Sequence, residues 1–410
     1  MGLFLVKINS MRQRLRFLTG PIMLWVIGTA HADDAGGPPG SFIPVPLIDV
    51  DPNSGVTLGL LPTWLKTDSD GEITRIIAPD LNFNPEFGFG GHARLIAYPS
   101  SDTQWSIVAG GQERVERVLD YEFQTGRERS SRLGFDAGIV VDRDGSPRFY
   151  GIGNRTPLGD KTNYTAQQKY ARATLSLNLS HAWQVAYTFR ARKFDVLPGT
   201  LDGIPSIESR FPGLSGVGGQ RDIQHRVQVS YDTRDDLTVP RHGNAWTVYG
   251  GAATRYSAVG YDLRQFWSPA GSSGTLVTHI AARYVLGTKE VPFWALSNIG
   301  GDQSSLGESL PLRAYGSGRF YDRNAFAANF EYRLQVLALD AFSTHIELEL
   351  TPFVDVGDVY ADSRSAPLHH AHRGAGLGIR GIARPFVVGY LDIGYGSEGA
   401  AAFTGINYPF

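Results

Sequence analysis

The strongest constraint in this chain is a period of two that returns in segment after segment. In "ARATLSLNL" (171–179), Ala171, Ala173, Leu175, Leu177 and Leu179 share one face, while Arg172, Thr174, Ser176 and Asn178 share the other. "WQVAYTFRAR" sets Trp183, Val185, Tyr187, Phe189 and Ala191 against Gln184, Thr188, Arg190 and Arg192. "ANFEYRLQVLA" places Ala328, Phe330, Tyr332, Leu334, Val336 and Ala338 opposite Asn329, Glu331, Arg333 and Gln335. "HIELELT" sets Ile346, Leu348 and Leu350 against His345, Glu347 and Glu349. Side chains alternate across a strand, so each segment has one apolar and one charged face. Soluble strands usually run about five or six residues; these are longer and match the roughly 9–11 that a tilted strand needs to cross a bilayer. A charged face suits a wet lumen. A soluble sandwich would instead need shorter strands, with turns about every 8–12 residues.

The N-terminus supplies the compartment. Arg12, Arg14 and Arg16 precede a mostly apolar run from Phe17 to Gly28, and Ala30-His31-Ala32 offers small residues at a cleavage site before Asp33. Residues 1–32 therefore read as a secretory signal peptide. The run is too short for a membrane helix, which needs roughly 20 apolar residues. The rest of the chain has no cysteine and so no disulfide framework. Its net charge of −2, with no polybasic block, excludes nucleic acid as a partner. No later stretch is apolar enough for a spanning helix, so an exported chain of this pattern belongs in the outer membrane as a closed barrel. Its surroundings are then outer-membrane lipid and lipopolysaccharide.

The expected fold is all-β: a transmembrane antiparallel β-barrel. Strand-like segments number seventeen from near Val56 to Phe410. Bacterial single-chain barrels have an even number, so about sixteen strands are expected, with one segment within 103–143 miscounted. Residues 33–55 read as a short periplasmic lead-in and 56–410 as the barrel. The chain ends on Phe410, with Tyr408, Ile406 and Thr404 on the same face of the last strand. That terminal aromatic resembles the C-terminal signal read by the outer-membrane assembly machinery, and it also suits an interfacial girdle. Both readings place the chain end in the wall.

Motifs for catalysis are weak. "HHAH" offers His369, His370 and His372, but adjacent histidines do not aim at one ion from one strand face. "YGIGNRTPLG" lacks the glycine spacing and following helix of a phosphate loop. The acids of "DTRDD" read as a strand end and turn beside Arg234 rather than a calcium site. "GAGLGIRGIA" reads as a Gly-rich strand that permits curvature or close approach of an inner loop. No nucleophile motif is present, so the expectation is a non-enzyme without cofactor or metal.

Five stretches occur in order: "FYGIGN" (149–154), "YDTRDDLTVPRHG" (231–243), "LRAYGSGRFYDRNAFAANFEYR" (312–333), "FVDVGDVY" (353–360) and "LDIGYGSEGAAAFTGINYPF" (391–410). Together they resemble the bacterial surface antigen superfamily, the BamA/TamA-type outer-membrane barrels. The resemblance implies a long loop before the twelfth strand that folds into the lumen. Its R-G-F/Y motif corresponds to Arg313, Ala314 and Tyr315; the facing F-x-D motif corresponds to Phe353 and Asp355, followed by Gly357. Parity supports this independently, since Asp355 shares the face of Glu347 and Glu349. A planar guanidinium can grip such a carboxylate through two parallel hydrogen bonds. Ala314 departs from the family's glycine, which makes a positive φ there harder to hold.

The resemblance implies a role in inserting or translocating proteins, through a weak seam between the first and last strands that accepts a client outer-membrane protein. Only about twenty residues separate Asp33 from the first strand, too few for POTRA modules. The implied protein is a barrel-only member that would use a separate periplasmic partner or work without one. The alternative is a passive porin-like channel for small solutes, with the inner loop as its constriction.

Overall fold

The structure is a computed structural model that describes residues 40–69, 73–126, 129–287, 290–304, 309–341, 344–362, 368, 370–383 and 387–410. The expected signal peptide, and the lead-in as far as residue 39, lie outside the described residues. The strands, in chain order, are β1 (Gly40–Asp51), β2 (Gly55–Thr67), β3 (Ile73–Ile77), β4 (Asp80–Asn84), β5 (Gly88–Ser100), β6 (Thr103–Gln112), β7 (Arg117–Thr125), β8 (Leu133–Asp144), β9 (Arg148–Phe149), β10 (Thr162–Asn178) and β11 (Trp183–Pro198). They continue as β12 (Gln220–Asp232), β13 (Gly243–Ala252), β14 (Tyr256–Trp267), β15 (Gly274–Gly287), β16 (Ser297–Ile299), β17 (Phe320–Asp322), β18 (Asn324–Ala341), β19 (Thr344–Tyr360), β20 (His372–Ala383), β21 (Val387–Gly396) and β22 (Gly399–Ile406).

Twenty of these strands form one sheet in which every neighbour is antiparallel, as binary alternation requires. β3 and β4 both lie between β2 and β5, and β9 continues β8 along β10, so the twenty strands fill eighteen places. Among the described residues the count is even, at eighteen rather than about sixteen. One of the two extra places comes from the N-terminus, where Gly40–Asp51, expected to lie within a lead-in, pairs residue for residue with β2, and the other from the segment discounted within 103–143. The segments within 103–143 are separate strands, β6, β7 and β8. β1 lies against β22 and brings the ends of the sheet together.

Outward faces are apolar. Leu60, Leu81, Phe89, Leu175, Trp267 and Tyr395 are all exposed, an apolar band that a bilayer covers. Inward faces carry charge, and the alternation slips at a bulge between Gln335 and Leu337, where Val336 and Leu337 are both exposed.

The segment between β15 and β18 turns into the lumen. There β16 and β17 pair as a small hairpin, and Ile299, Leu310 and Leu312 are buried against Ala281, Ala325 and Ala327 of the wall. Alanines at those inward positions leave room for the loop. The last strand stops at Ile406. Asn407 takes φ +67°, and the chain leaves the wall, so Tyr408 and Phe410 are buried in the lumen rather than in a wall strand. A girdle position would have left both rings facing lipid; instead Tyr408 packs on Val239 and Ile382, and Phe410 on Phe266 and Val277.

Candidate functional site

Arg313 lies at the inner end of the lumen loop, with no exposed surface. Its Nε and Nη2 donate to the two carboxylate oxygens of Asp355 at 2.8 and 2.7 Å, and its backbone N–H donates to the same group at 2.9 Å. Beneath the guanidinium, 3.7 Å from Cζ, is the ring of Phe353. The two motif residues of β19 thus supply a carboxylate and an aromatic platform two positions apart, on one face of the strand. That is the spacing the pleat imposes.

Four further charges complete the cluster. Arg313 Nη1 donates to Glu331 and, at 3.3 Å, to Asp392. Arg380 bridges Asp392 and Glu331. Arg333 donates from Nε to Glu331 at 2.9 Å. The result is three arginines and three carboxylates, all buried, on the loop and on β18, β19, β20 and β21. Equal numbers of opposite charges make the burial tolerable; a single unpaired member would cost several kcal/mol, roughly 3–5.

The C-terminal tail packs onto this cluster. The Tyr408 ring lies 3.5 Å from Arg333 Cζ, and its hydroxyl donates to Glu349 at 2.7 Å. Phe410 stacks on His279 at 4.7 Å and 5.3 Å from Arg313 Cζ. Ile406 remains in β22, opposite Gly389.

Ala314 is buried and does not take a positive φ. The freedom its methyl lacks is supplied by the wall. Gly374 and Gly396 face Ala314, and Gly394 lies against the Arg313 carbonyl. Tyr315 reaches Ser397, with its hydroxyl 3.0 Å from Ser397 Oγ, and donates to the Arg373 carbonyl at 3.3 Å. Gly357 passes close to Ile299 and Leu312. Arg319, at the other end of the stretch, grips Glu398 through Nε (2.9 Å) and Nη2 (2.7 Å), and donates to Thr156. One arginine anchors the loop deep in the lumen and the other anchors it near the loop mouth.

Sequence reading names Arg313, Phe353 and Asp355 and does not name Arg380 or Asp392 as partners. Both were findable in part. Each lies on a face whose parity matches a lumen residue, but only the closed sheet shows that they meet Arg313. His370 lies 2.8 Å from Arg155 Nη2, and His372 stacks on Phe320 at 3.8 Å and 12°; His369 is outside the described residues. In "DTRDD", Arg234 chelates Asp232 while Asp235 and Asp236 accept backbone N–H bonds of the turn.

The profile of a family described as the Omp85 superfamily domain matches residues 122–395. Among solved structures, BamA from Haemophilus ducreyi lacking POTRA domains 1-3 is similar with a TM-score of 0.54 and 12% identity, over 85% of this chain and 74% of that one. CdiB from Escherichia coli gives a TM-score of 0.48 at 12% identity, over 93% of this chain and 67% of that one. CdiB from Acinetobacter baumannii gives 0.43 at 11%, over 88% and 58%. No curated protein sequence matches this chain.

Proposed function

The chain belongs to the Omp85 superfamily of outer-membrane barrels, and from that membership we propose that it inserts client outer-membrane proteins, or passes proteins across the outer membrane, at the seam between β1 and β22. The observation that carries this reading is how the seam is held. Among the described residues no ladder pairs β1 with β22. In its place, the Val50 N–H donates to Thr404 Oγ1 at 2.8 Å, and that hydroxyl donates to Asp49 at 3.2 Å. A wall joined there by a side chain leaves backbone groups of both edges open to a visiting strand.

The lumen cluster has the complementary task. Arg313, Ala314 and Tyr315 brace the loop against Phe353, Asp355 and Gly357, so that the wall on the β22 side of the seam keeps its shape while the other side yields. Ile406, Tyr408 and Phe410 serve as the chain's own assembly signal before the tail turns inward. A periplasmic partner delivers clients to the end of the barrel where β1 begins. No covalent step is involved.

The test is a photoreactive residue at Val50 or Thr404 in living cells. Adducts with nascent outer-membrane proteins are expected. Adducts with lipid alone would overturn the reading.

A further inference from the structure

The two strands beside the seam differ from the rest of the wall in where their prolines fall. Pro44 of β1 stands opposite Pro62 of β2. Neither has an N–H, so this is a non-hydrogen-bonded pair of the ladder, and the even-numbered backbone groups of β1 point away from β2 toward the seam. The bond from the Val50 N–H to Thr404 shows the same direction. Two of those seam-facing positions, Pro44 and Pro46, carry no donor.

The other side of the hairpin is weakened at the same level. Even-numbered groups of β2 point toward β3 and β4, with Leu60 opposite Leu81 and Trp64 opposite Ile77. The position between them sets Pro62 opposite Pro79, where the wall strand is interrupted between β3 and β4. Both donors of that pair are missing. A row of prolines therefore crosses the first three places of the barrel and thins the hydrogen bonding on both flanks of β1–β2.

At its turn the hairpin is held firmly. Asn53 Nδ2 donates to the Ser317 carbonyl of the lumen loop at 2.8 Å, Arg148 Nη2 donates to the Asn53 carbonyl, and Asn84 Nδ2 donates to the Ser54 carbonyl at 2.9 Å. The segment is latched at residues 51–54 and loosened toward residues 40 and 67.

We infer that the hairpin Gly40–Thr67 is a removable pair of staves that pivots on its latched turn, and that the gap it leaves is an interaction surface for an antiparallel β-hairpin of another chain. Parity selects the visitor. Eighteen places less two leaves an even number, so β22 and the β3–β4 strand remain antiparallel across the gap. A hairpin pairs antiparallel with both edges, whereas a single strand would be parallel to one of them. The resident also specifies the chemistry: Ile48, Leu58, Leu60 and Trp64 alternate toward lipid, so the visitor presents apolar residues at every second position. The visitor's identity as a client rests on the proposed function; the separation of the hairpin does not.

Hydrogen exchange on the full chain in lipid nanodiscs tests the separation. The amides of Trp64 and Lys66, bonded across the weakened flank, are expected to exchange about tenfold or more faster than those of Thr63 and Leu65, bonded within the hairpin. Equal rates would mean ordinary end-fraying and would overturn the inference. The visitor is tested with a synthetic peptide of residues 40–67 carrying a photoreactive group, added to the Trp64→Cys/Ile77→Cys variant. Adducts with β22 and β3 are expected in the reduced protein and not in the disulfide-locked one. Equal labelling in both states would sink the doorway. If the hairpin separates but cells yield no client adducts at the seam, the proposed function fails and the separation stands.

Discussion

The two flanks of this barrel are built in opposite ways. Around β18 to β21 the wall is laddered apart from one bulge in β18, and six buried charges tie it to the lumen loop. Around β1 and β2 prolines interrupt the bonding, and the closing contact includes a threonine side chain. The difference shows how a closed sheet, which has no natural weak point, acquires one. Stiffness comes from an inward loop with paired charges; compliance comes from donors withheld at chosen positions.

The comparison can be broken most directly at Asp355. Asp355→Ala leaves Arg313 buried beside an incomplete set of acceptors and is expected to cost about 3–5 kcal/mol in denaturant unfolding from detergent micelles. Arg313→Ala should cost a similar amount, and the double variant about as much as either single one. Additive costs would show that the two residues do not act as a unit. Planar-bilayer recordings extend the same test. Arg313→Ala should raise single-channel conductance by freeing the loop, whereas an unchanged large, steady conductance would favour a porin-like channel.

A smaller effect separates two glycines. A methyl at Gly394 would run into the Arg313 carbonyl, whereas one at Gly381 meets nothing closer than 4.0 Å. Gly394→Ala is expected to destabilise by about 1–3 kcal/mol through overpacking, and Gly381→Ala to be near neutral. Comparable losses would mean that the loop does not depend on close approach to the wall.

On the compliant flank, Pro44→Thr with Pro46→Thr restores two donors facing the seam. A bond gained there adds about 0.5–1.5 kcal/mol and should lower the yield of client adducts from Thr404. An unchanged yield would show that the seam is not limited by its missing donors.

The smallest effect lies at the turn joining β12 and β13. Burial pushes the Asp235 carboxyl up, but the N–H groups of His242, Arg241 and Asp236 and the His242 ring outweigh it and hold the group below its ordinary value. Its stabilising contribution is present above the unfolded carboxylate value, about 3.9, and is lost as pH falls through the lower folded value. Asp235→Asn should therefore lower the denaturation midpoint slightly at pH 7 and make little difference at pH 3. An equal shift at both would assign its role to shape rather than charge.

Much of the fold was legible because a strand's facing is a local property. Glu331, Arg333 and Asp355 could be assigned to the lumen from their neighbours alone, and the structure places all three there. "PLRAYGSGRF" could be read as a loop because its charges lack the alternation around it, and as an inward one from the family resemblance. Two features were not legible. Gly40–Asp51 contains two prolines, which disfavour a central strand, yet as an edge strand it tolerates them on its unpaired side. The tail reads as a continuation of β22, and only the left-handed turn at Asn407 shows otherwise.

The sequence alone therefore determined the barrel and its lumen and lipid faces, since these follow from a period of two, while the pairing of the arginine motif with the carboxylate motif came from the family resemblance. Tertiary structure alone decided that Arg380 and Asp392 join Arg313, that Tyr408 and Phe410 fill the lumen, and that prolines of β1, β2 and the β3–β4 break align in one row. Those outcomes depend on register and closure, which place residues far apart in the chain side by side, and no local pattern encodes them.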